Sequence, residues 1–419
     1  MRNREKISGN IDWVTVMIYS ILVFVGWLSI FTASAGEDVS TLLDLNTRYG
    51  KQLLWIGFAI LLAGLILIID AEFFSTFSYV FYLGLLLLLV GVLIFGSTVA
   101  GSKSWFRIGG FAIQPAEFAK FATALAMAKY LSALNVNMRA LKTKVISMGI
   151  LILPALLILL QNDTGSALVY FSFGIVLFRE GFSGLLFIAV LMMATLFITT
   201  ILFSETLVIS VLAGIVFIIL IFFKKYRKNW KPIFGIMVLS IAFVFSANYA
   251  FENVLPAHQK NRINVLLGIE QDLRGAGYNV NQSKIAIGSG GLTGKGFRNG
   301  VLTRYNFVPE QSTDFIFCTI GEEWGFLGVS VLILLFMTLL IRIILLAERQ
   351  RSKFSRIYGY GVASILFFHF TINIGMTIGL APVVGIPLPF LSYGGSSLWA
   401  FTLLLFIFLK QDANRLNVL

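Results

Sequence analysis

Cysteine, histidine and charge are all scarce in this chain. Cys318 is the one cysteine among 419 residues, so no intrachain disulfide can staple the fold, and its setting beside Phe317 and Ile320 marks a small buried apolar residue. The two histidines, His258 and His369, are isolated and form no metal motif; both read as structural or incidental. Only 12% of residues are charged against 58% hydrophobic, with mean hydropathy +0.89, and a water-soluble domain cannot keep its surface wet on that composition. The net charge of +12 would suit nucleic acid or a membrane surface. No basic run is interleaved with aromatics, however, and the charges fall between apolar segments, which excludes nucleic acid as a partner.

What is abundant is apolar sequence in long runs. The bilayer core offers a backbone no partners, so a spanning chain is helical or a closed barrel, and runs without dyad alternation choose helices. At roughly 20 apolar residues per crossing, twelve spans are expected, near 13–33, 52–69, 75–97, 115–134, 145–161, 165–178, 183–203, 206–223, 232–250, 314–346, 357–380 and 395–410. The sixth is short. The expected fold is an all-α polytopic membrane protein, a bundle of about 10 to 12 transmembrane helices in a single integral membrane domain over 1–419. Arg2, Arg4 and Lys6 ahead of the first run and Ala33-Ser34-Ala35 after it imitate a cleavable signal. The run is nearer a full span than an h-region of roughly 7 to 15 residues, so a retained helix is expected.

Orientation follows from the short connections that collect lysine and arginine. One alternate set holds Arg139, Lys142 and Lys144, then Lys224, Lys225, Arg227, Lys228 and Lys231, then Arg349, Arg351, Lys353 and Arg356, and it includes the N-terminus. These loops and both termini are expected in the cytoplasm. The opposite set comprises Gly101–Gln114, Gln161–Gly165, Phe251–Thr313 and Ala381–Ser396. The loop over 251–313 is too long to be featureless. His258–Leu273 carries Ile263, Leu266, Leu267 and Ile269 at helical spacing, and Gly277–Ile287 reads as another short helix.

The expected outer segments carry the specific chemistry. They are Gly101-Ser-Lys-Ser-Trp105-Phe-Arg107-Ile-Gly-Gly, running into Gln114-Pro115-Ala116-Glu117-Phe118-Ala119-Lys120; Gln161-Asn162-Asp163-Thr164-Gly165; Phe307-Val-Pro309-Glu310-Gln-Ser-Thr313-Asp314; and Gly385-Ile386-Pro387-Leu388-Pro389-Phe390, continuing to Ser392-Tyr393-Gly394-Gly395. Together, and in this order along nearly the whole chain, they resemble the SEDS family of shape, elongation, division and sporulation proteins. The 385–390 form and the short C-terminal tail are more like the rod-elongation branch than the division branch. The resemblance implies a peptidoglycan glycosyltransferase of the bacterial inner membrane that joins lipid II disaccharides held on undecaprenyl pyrophosphate. It also implies a class B penicillin-binding protein as partner, with other membrane proteins of the elongation complex. Two departures stand out. Asn162 replaces the usual proline of a Gln-Pro-Asp motif, and the family has ten spans, so residues 183–223 are expected to form an additional hairpin.

Such a reaction needs a base near an acceptor hydroxyl and positive charge near a diphosphate leaving group. Asp314, at the start of the tenth span, matches the aspartate at which the family places catalysis. The alternative is a first-turn acid on a helix capped by Thr313 or Ser312. Glu117 and Lys120 share one face of the fourth helix just after Pro115. They are expected to contact substrate, with Lys120 on the diphosphate or sugar; otherwise they are a local ion pair. Lys129, deeper in that helix, snorkels to the inner surface. Trp105 is a sugar-stacking candidate or an interfacial anchor. Asp163 ranks as a further substrate-site residue with a metal or a lysine as partner. The stretch Gly288–Gly296 looks like a phosphate loop but fails its spacing, and reads as flexible backbone with Lys295, Arg298 and Arg304 available to phosphate, or as a wetted basic loop. Glu322 and Glu323 could pair with a basic residue across the bundle. No organic cofactor is implied; a divalent ion at the diphosphate is chemically reasonable, although no complete ligand set is visible. The competing readings are a lipid-precursor flippase or transporter, which usually shows repeated halves and interrupted helices, and a non-catalytic scaffold.

Overall fold

The computed structural model describes residues 10–34, 42–99, 101–108, 111–134, 136–223, 227–255, 257–267, 269, 277–305 and 307–416. Arg2, Arg4, Lys6, Ala35, Lys224, Lys225 and part of the expected 258–273 helix lie outside the described residues. The chain divides into one unit of residues 1–182 and 279–419 and a second of residues 183–278.

In the first unit, α1 (Trp13–Ser34), α2 (Arg48–Ile68), the short α3 (Ala71–Thr76) and α4 (Ser78–Phe95) lead to three strands, β1 (Ser97–Val99), β2 (Ser102–Ile108) and β3 (Phe111–Ile113). Then follow α5 (Pro115–Ser132), α6 (Leu141–Leu160) and a sixth pass broken into α7 (Thr164–Leu168), a 3-10 turn (Val169–Ser172) and α8 (Phe173–Arg179). In the second unit, α9 (Leu185–Leu202), α10 (Glu205–Phe222) and α11 (Trp230–Tyr249) pack around Leu196, Val208 and Val244, and α12 spans Ala257–Leu266. The chain then forms α13 (Tyr278–Ser289), α14 (Val301–Arg304), α15 (Ile316–Glu348), α16 (Lys353–Thr377) and α17 (Gly395–Ala413). Twelve helical passes among the described residues thus follow the expected order.

Among the described residues, eight helices are long and apolar enough to cross a bilayer. α5 is not one of them, because it carries Glu117, Lys120 and Lys129. It can carry them because lipid scarcely reaches it: α4, α6, α16 and α17 surround it, and most of its length is buried. Polar contacts gather at the two ends of the bundle. At one end, Arg342 Nε donates to Asp12 Oδ2 at 2.8 Å, Lys410 Nζ donates to Leu67 O at 2.8 Å near the end of α2, and Arg349 and Gln350 hold Asp412. The other end contains the starts of α5, α7 and α15 and the connection from α16 to α17.

Two expectations for that second end need correction. The glycine-rich 101–114 segment is not a loop: β1, β2 and β3 form an antiparallel sheet, with Ser97 opposite Trp105 and Phe106 opposite Ile113. Trp105, Phe106 and Ile108 are good pleated-surface residues, and their signal is masked by the serines and glycines around them. The Gly288–Gly296 stretch is not loose backbone either. α15 breaks at Gly325 (φ 61°, ψ −160°), and the stretch fills the break. Phe326 N–H donates to Gly291 O at 2.9 Å, Leu327 N–H to Leu292 O at 3.1 Å and Lys295 N–H to Glu322 O at 3.1 Å, which supplies the hydrogen bonds that a kink interrupts. The backbones meet so closely that a Cβ on Gly290 would lie 2.0 Å from Gly321 O. Gly290→Ala should therefore destabilise the protein by about 1–3 kcal/mol, the usual range for overpacking. Gly288→Ala, with nothing within 4 Å of the added carbon, should not; thermal unfolding of the two purified variants compares them directly.

Candidate active site

The turn before α15 carries Asp314. Its neighbours anchor it from three sides: Arg48 Nη1 donates to Ser312 Oγ at 2.6 Å, Tyr393 N–H to Ser312 O at 2.8 Å and Ser392 Oγ to Thr313 O at 2.6 Å. Asn373 of α16 donates to Asp314 O at 2.8 Å and to Ile386 O at 2.7 Å through the same amide nitrogen. The Asp314 carboxylate, half-buried, faces Gly385 (φ 72°), where an added Cβ would lie 3.5 Å from Oδ2. The helix-cap alternative fails on geometry. Phe315 occupies the cap position of α15 without a side-chain bond, and Thr313 turns its hydroxyl to Glu310.

The opposing segment, residues 381–394, has no helix or strand, yet Ile386, Leu388, Phe390 and Leu391 are buried. It is wedged between glycines of other helices. A Cβ on Gly26 of α1 would lie 2.5 Å from Leu391 Cα, and one on Gly165 of α7 would lie 2.1 Å from Val384 O. Its own Ser392 closes the turn, accepting from Leu388 N–H at 2.8 Å.

Behind that segment lies a buried charged chain. Lys120 Nζ is 2.7 Å from Glu117 Oε2 and 3.0 Å from His369 Nε2, and His369 Nδ1 is 3.1 Å from Pro387 O. Glu117, Lys120 and His369 are 3%, 2% and 1% exposed. The expected substrate-facing lysine is thus corrected for this conformation: Lys120 is inside the bundle, with the Phe401 ring centroid 5.0 Å from its ammonium, and the pair takes its local ion-pair form. Of the two readings of His369, structural or incidental, the structural one holds, since its ring belongs to this chain.

The remaining candidates stand apart from Asp314. Asp163 caps α7, accepting from Ser166 N–H at 3.0 Å and Ser166 Oγ at 2.9 Å, and takes Gln114 Nε2 at 2.7 Å. These partners are a serine and a glutamine rather than a lysine. Asn162, at φ 60°, reverses the chain after α6; asparagine tolerates this left-handed turn, whereas proline cannot adopt it. Trp105 is half-buried on β2, its carbonyl accepting from Ser97 Oγ at 3.1 Å. Lys295 donates to Glu322 Oε1 at 2.7 Å, and the Glu322 carboxylate also takes Leu302 and Thr303 N–H at 3.0 and 2.9 Å, holding the start of α14. Glu322 therefore finds its basic partner in the adjoining loop rather than across the bundle. Arg298 offers its backbone N–H to Glu323 at 3.1 Å and its guanidinium to the Phe31 ring at 5.5 Å. Among the described residues, no three His, Cys, Asp or Glu side chains gather as a metal site.

Sequence reasoning missed His369, Asn373 and Arg48. The first two were findable: polar residues four apart share one face of a helix, and an intramembrane polar face is functional by default.

A model of the FtsW/RodA/SpoVE cell cycle proteins matches residues 12–209 and 186–416. The chain belongs to this family. Among FtsW/RodA/SpoVE proteins, it is 31% identical to the peptidoglycan glycosyltransferase RodA of Treponema pallidum (strain Nichols), over 97% of this chain and 98% of that one. It is 30% identical to the peptidoglycan glycosyltransferase MrdB of Escherichia coli (strain K12), over 92% and 87%. It also superposes on a chain from a structure concerned with coordination of polymerization and crosslinking by a peptidoglycan synthase complex. That match has a TM-score of 0.70 and 26% identity, and it covers 97% of this chain and 98% of the other. Membership of the FtsW/RodA/SpoVE family, with the apolar helices, makes this a multi-pass membrane protein.

The buried pair supplies a stability test. Lys120→Ala strands Glu117 and should cost about 3–5 kcal/mol, whereas Glu117→Leu combined with Lys120→Met should recover most of that loss. Detergent-phase thermal unfolding of the single and double variants measures the difference.

Proposed function

We propose that this protein is a peptidoglycan glycosyltransferase that polymerises lipid II into glycan strands at the outer face of the cytoplasmic membrane, serving cell elongation and shape. The observation that carries the reading is the Asp314 carboxylate, half-buried against Gly385 in a turn whose backbone is held by α16 and the 392–393 segment and whose Ser312 hydroxyl is held from α2. A base must be fixed to within a fraction of an ångström to act in a transition state.

In the proposed reaction, the Asp314 carboxylate takes the proton of the acceptor sugar's 4-hydroxyl as that oxygen attacks the anomeric carbon of the donor. The new C–O bond forms as the anomeric carbon–phosphate oxygen bond breaks, and undecaprenyl diphosphate leaves with the electron pair. Positive charge is required at that leaving group. Arg48, bonded to Ser312 two residues from Asp314, is one candidate for that charge, with Lys295 and Arg298 as further ones. Trp105 offers a partly exposed indole face to a sugar ring, and Asp163 shapes the entry to α7. Glu117 and Lys120 act from behind the site.

An even number of passes, with the basic connections taken as inside, supports cytoplasmic termini and an outer Asp314. Residues 183–223 are then a hairpin added without altering that topology. A class B penicillin-binding protein and further membrane proteins of the elongation machinery are the proposed partners.

The test is polymerisation of labelled lipid II by the purified protein, with and without its penicillin-binding partner. Wild type should make long strands, while Asp314→Ala and Asp314→Asn should lose at least about 100-fold in rate, the lower range for a positioned general base, with unfolding temperature unchanged. Strands from both variants would remove Asp314 as the base. A wild type that makes none even with its partner would bring forward the flippase or scaffold reading.

A further inference from the structure

We propose that His369 is a positioning residue for polymerisation, a fixed hydrogen-bond strut that sets the 385–387 backbone, and with it Gly385, against Asp314. The inference rests on the glycosyltransferase reading and deepens it.

The partners determine the protonation of the ring. A backbone carbonyl can only accept, so at 3.1 Å from Pro387 O the Nδ1 atom carries the proton and donates. An ammonium can only donate, so at 3.0 Å from Lys120 Nζ the Nε2 atom presents its lone pair. His369 is therefore neutral and in one tautomer, since a second ring proton would face the lysine charge. Lys120 is in turn held by Glu117 at 2.7 Å. The Phe401 ring stands edge-on to the imidazole, with centroids 4.8 Å apart and planes at 88°, and blocks its rotation.

What the strut holds matters because the 381–394 segment lacks a ladder of its own. Pro387 has no N–H to bond. Asn373, one helical turn after His369, donates to Ile386 O and Asp314 O together, so adjacent carbonyls of one segment hang from two side chains on one face of α16. Asn373 ties that segment to Asp314, and His369 ties it to the charged pair on α5. Removing the His369 bond leaves the part-buried Pro387 O without its donor and lets the wall beside Asp314 shift. Displacements on the order of 1 Å can cost about 100-fold in rate.

The experiment uses full-length protein in the lipid II polymerisation assay. Glutamine can donate from its amide nitrogen to Pro387 O and accept from Lys120 at its oxygen, while leucine can do neither. His369→Leu should lower kcat by about 100-fold, with KM within about twofold and the thermal unfolding midpoint close to wild type. His369→Gln should restore kcat to within about threefold of wild type. If leucine does not fold, His369→Asn, an amide one methylene too short to span both partners, is read in its place. Wild-type kcat in the folded apolar or short variant overturns the proposal, as does an effect confined to KM, or a folded glutamine variant no better than leucine. Inactive wild type would instead fail the glycosyltransferase reading itself, which keeps the two failures distinct.

Discussion

A stretch of main chain without helix or strand, buried among apolar helices, must find a partner for every N–H and C=O elsewhere in the protein. The part of this segment from Ile386 to Ser392, buried at every position but Pro387, imposes that constraint here, and much of the polar chemistry of the first unit is arranged around it. Asn373 and His369 meet its carbonyls, Ser392 closes its turn, and Gln52 of α2 accepts from Gly394 N–H at 3.3 Å. Gly26 and Gly165 contribute by lacking a side chain, since each lets a helix approach to within contact of this backbone. Each such contact fixes the segment in one place, and Gly385 lies inside that fixed region, beside Asp314.

The same constraint explains where the charges are. An ammonium in the interior is costly unless paired and hydrogen-bonded, so Lys120 is tolerable only with Glu117 and a neutral His369 around it. That arrangement stabilises little by itself, because desolvation offsets most of the attraction. Its physical value is directional: Lys120 forces His369 to present a lone pair on one side, which fixes a donor toward Pro387 on the other. Charge on α5 is thereby converted into the position of a neutral carbonyl near Asp314.

The passes were legible because apolar runs of spanning length have few alternatives in lipid, and even the sixth, broken as α7 and α8, showed as unusually short. The position of Asp314, just before the tenth pass, was legible through the motif around it. The sheet over 97–113 was not, because three short strands, with serines in two of them and glycines between them, have neither the length nor the alternation that marks a strand. The Gly288–Gly296 stretch misled for a related reason: glycine signals either freedom or close approach, and only the break at Gly325 reveals which applies. Lys120 misled because a helix face alone does not say whether it meets a cavity or another helix. His369 lay in an apolar span, where its partners come from segments 249 residues before it and 18 after it, beyond any local pattern.

A carrier and a polymerase make different demands on interrupted helices. A carrier keeps its breaks open at the membrane midplane, so that freed backbone groups and half-helix ends can bind and release cargo. Here the break at Gly325 is filled by the 290–296 backbone, which takes up the N–H groups of Phe326 and Leu327. The 3-10 turn of the sixth pass packs on α16, with Val169, Tyr170 and Ser172 buried. Breaks sealed with protein cannot also bind a passing substrate. Asp314, by contrast, sits in a turn at the helix end with its carboxylate partly exposed, which under the proposed reading leaves it open to a lipid-anchored sugar without passage across the bundle. Sealed breaks and a braced carboxylate at the boundary together favour chemistry at the membrane surface over passage through it.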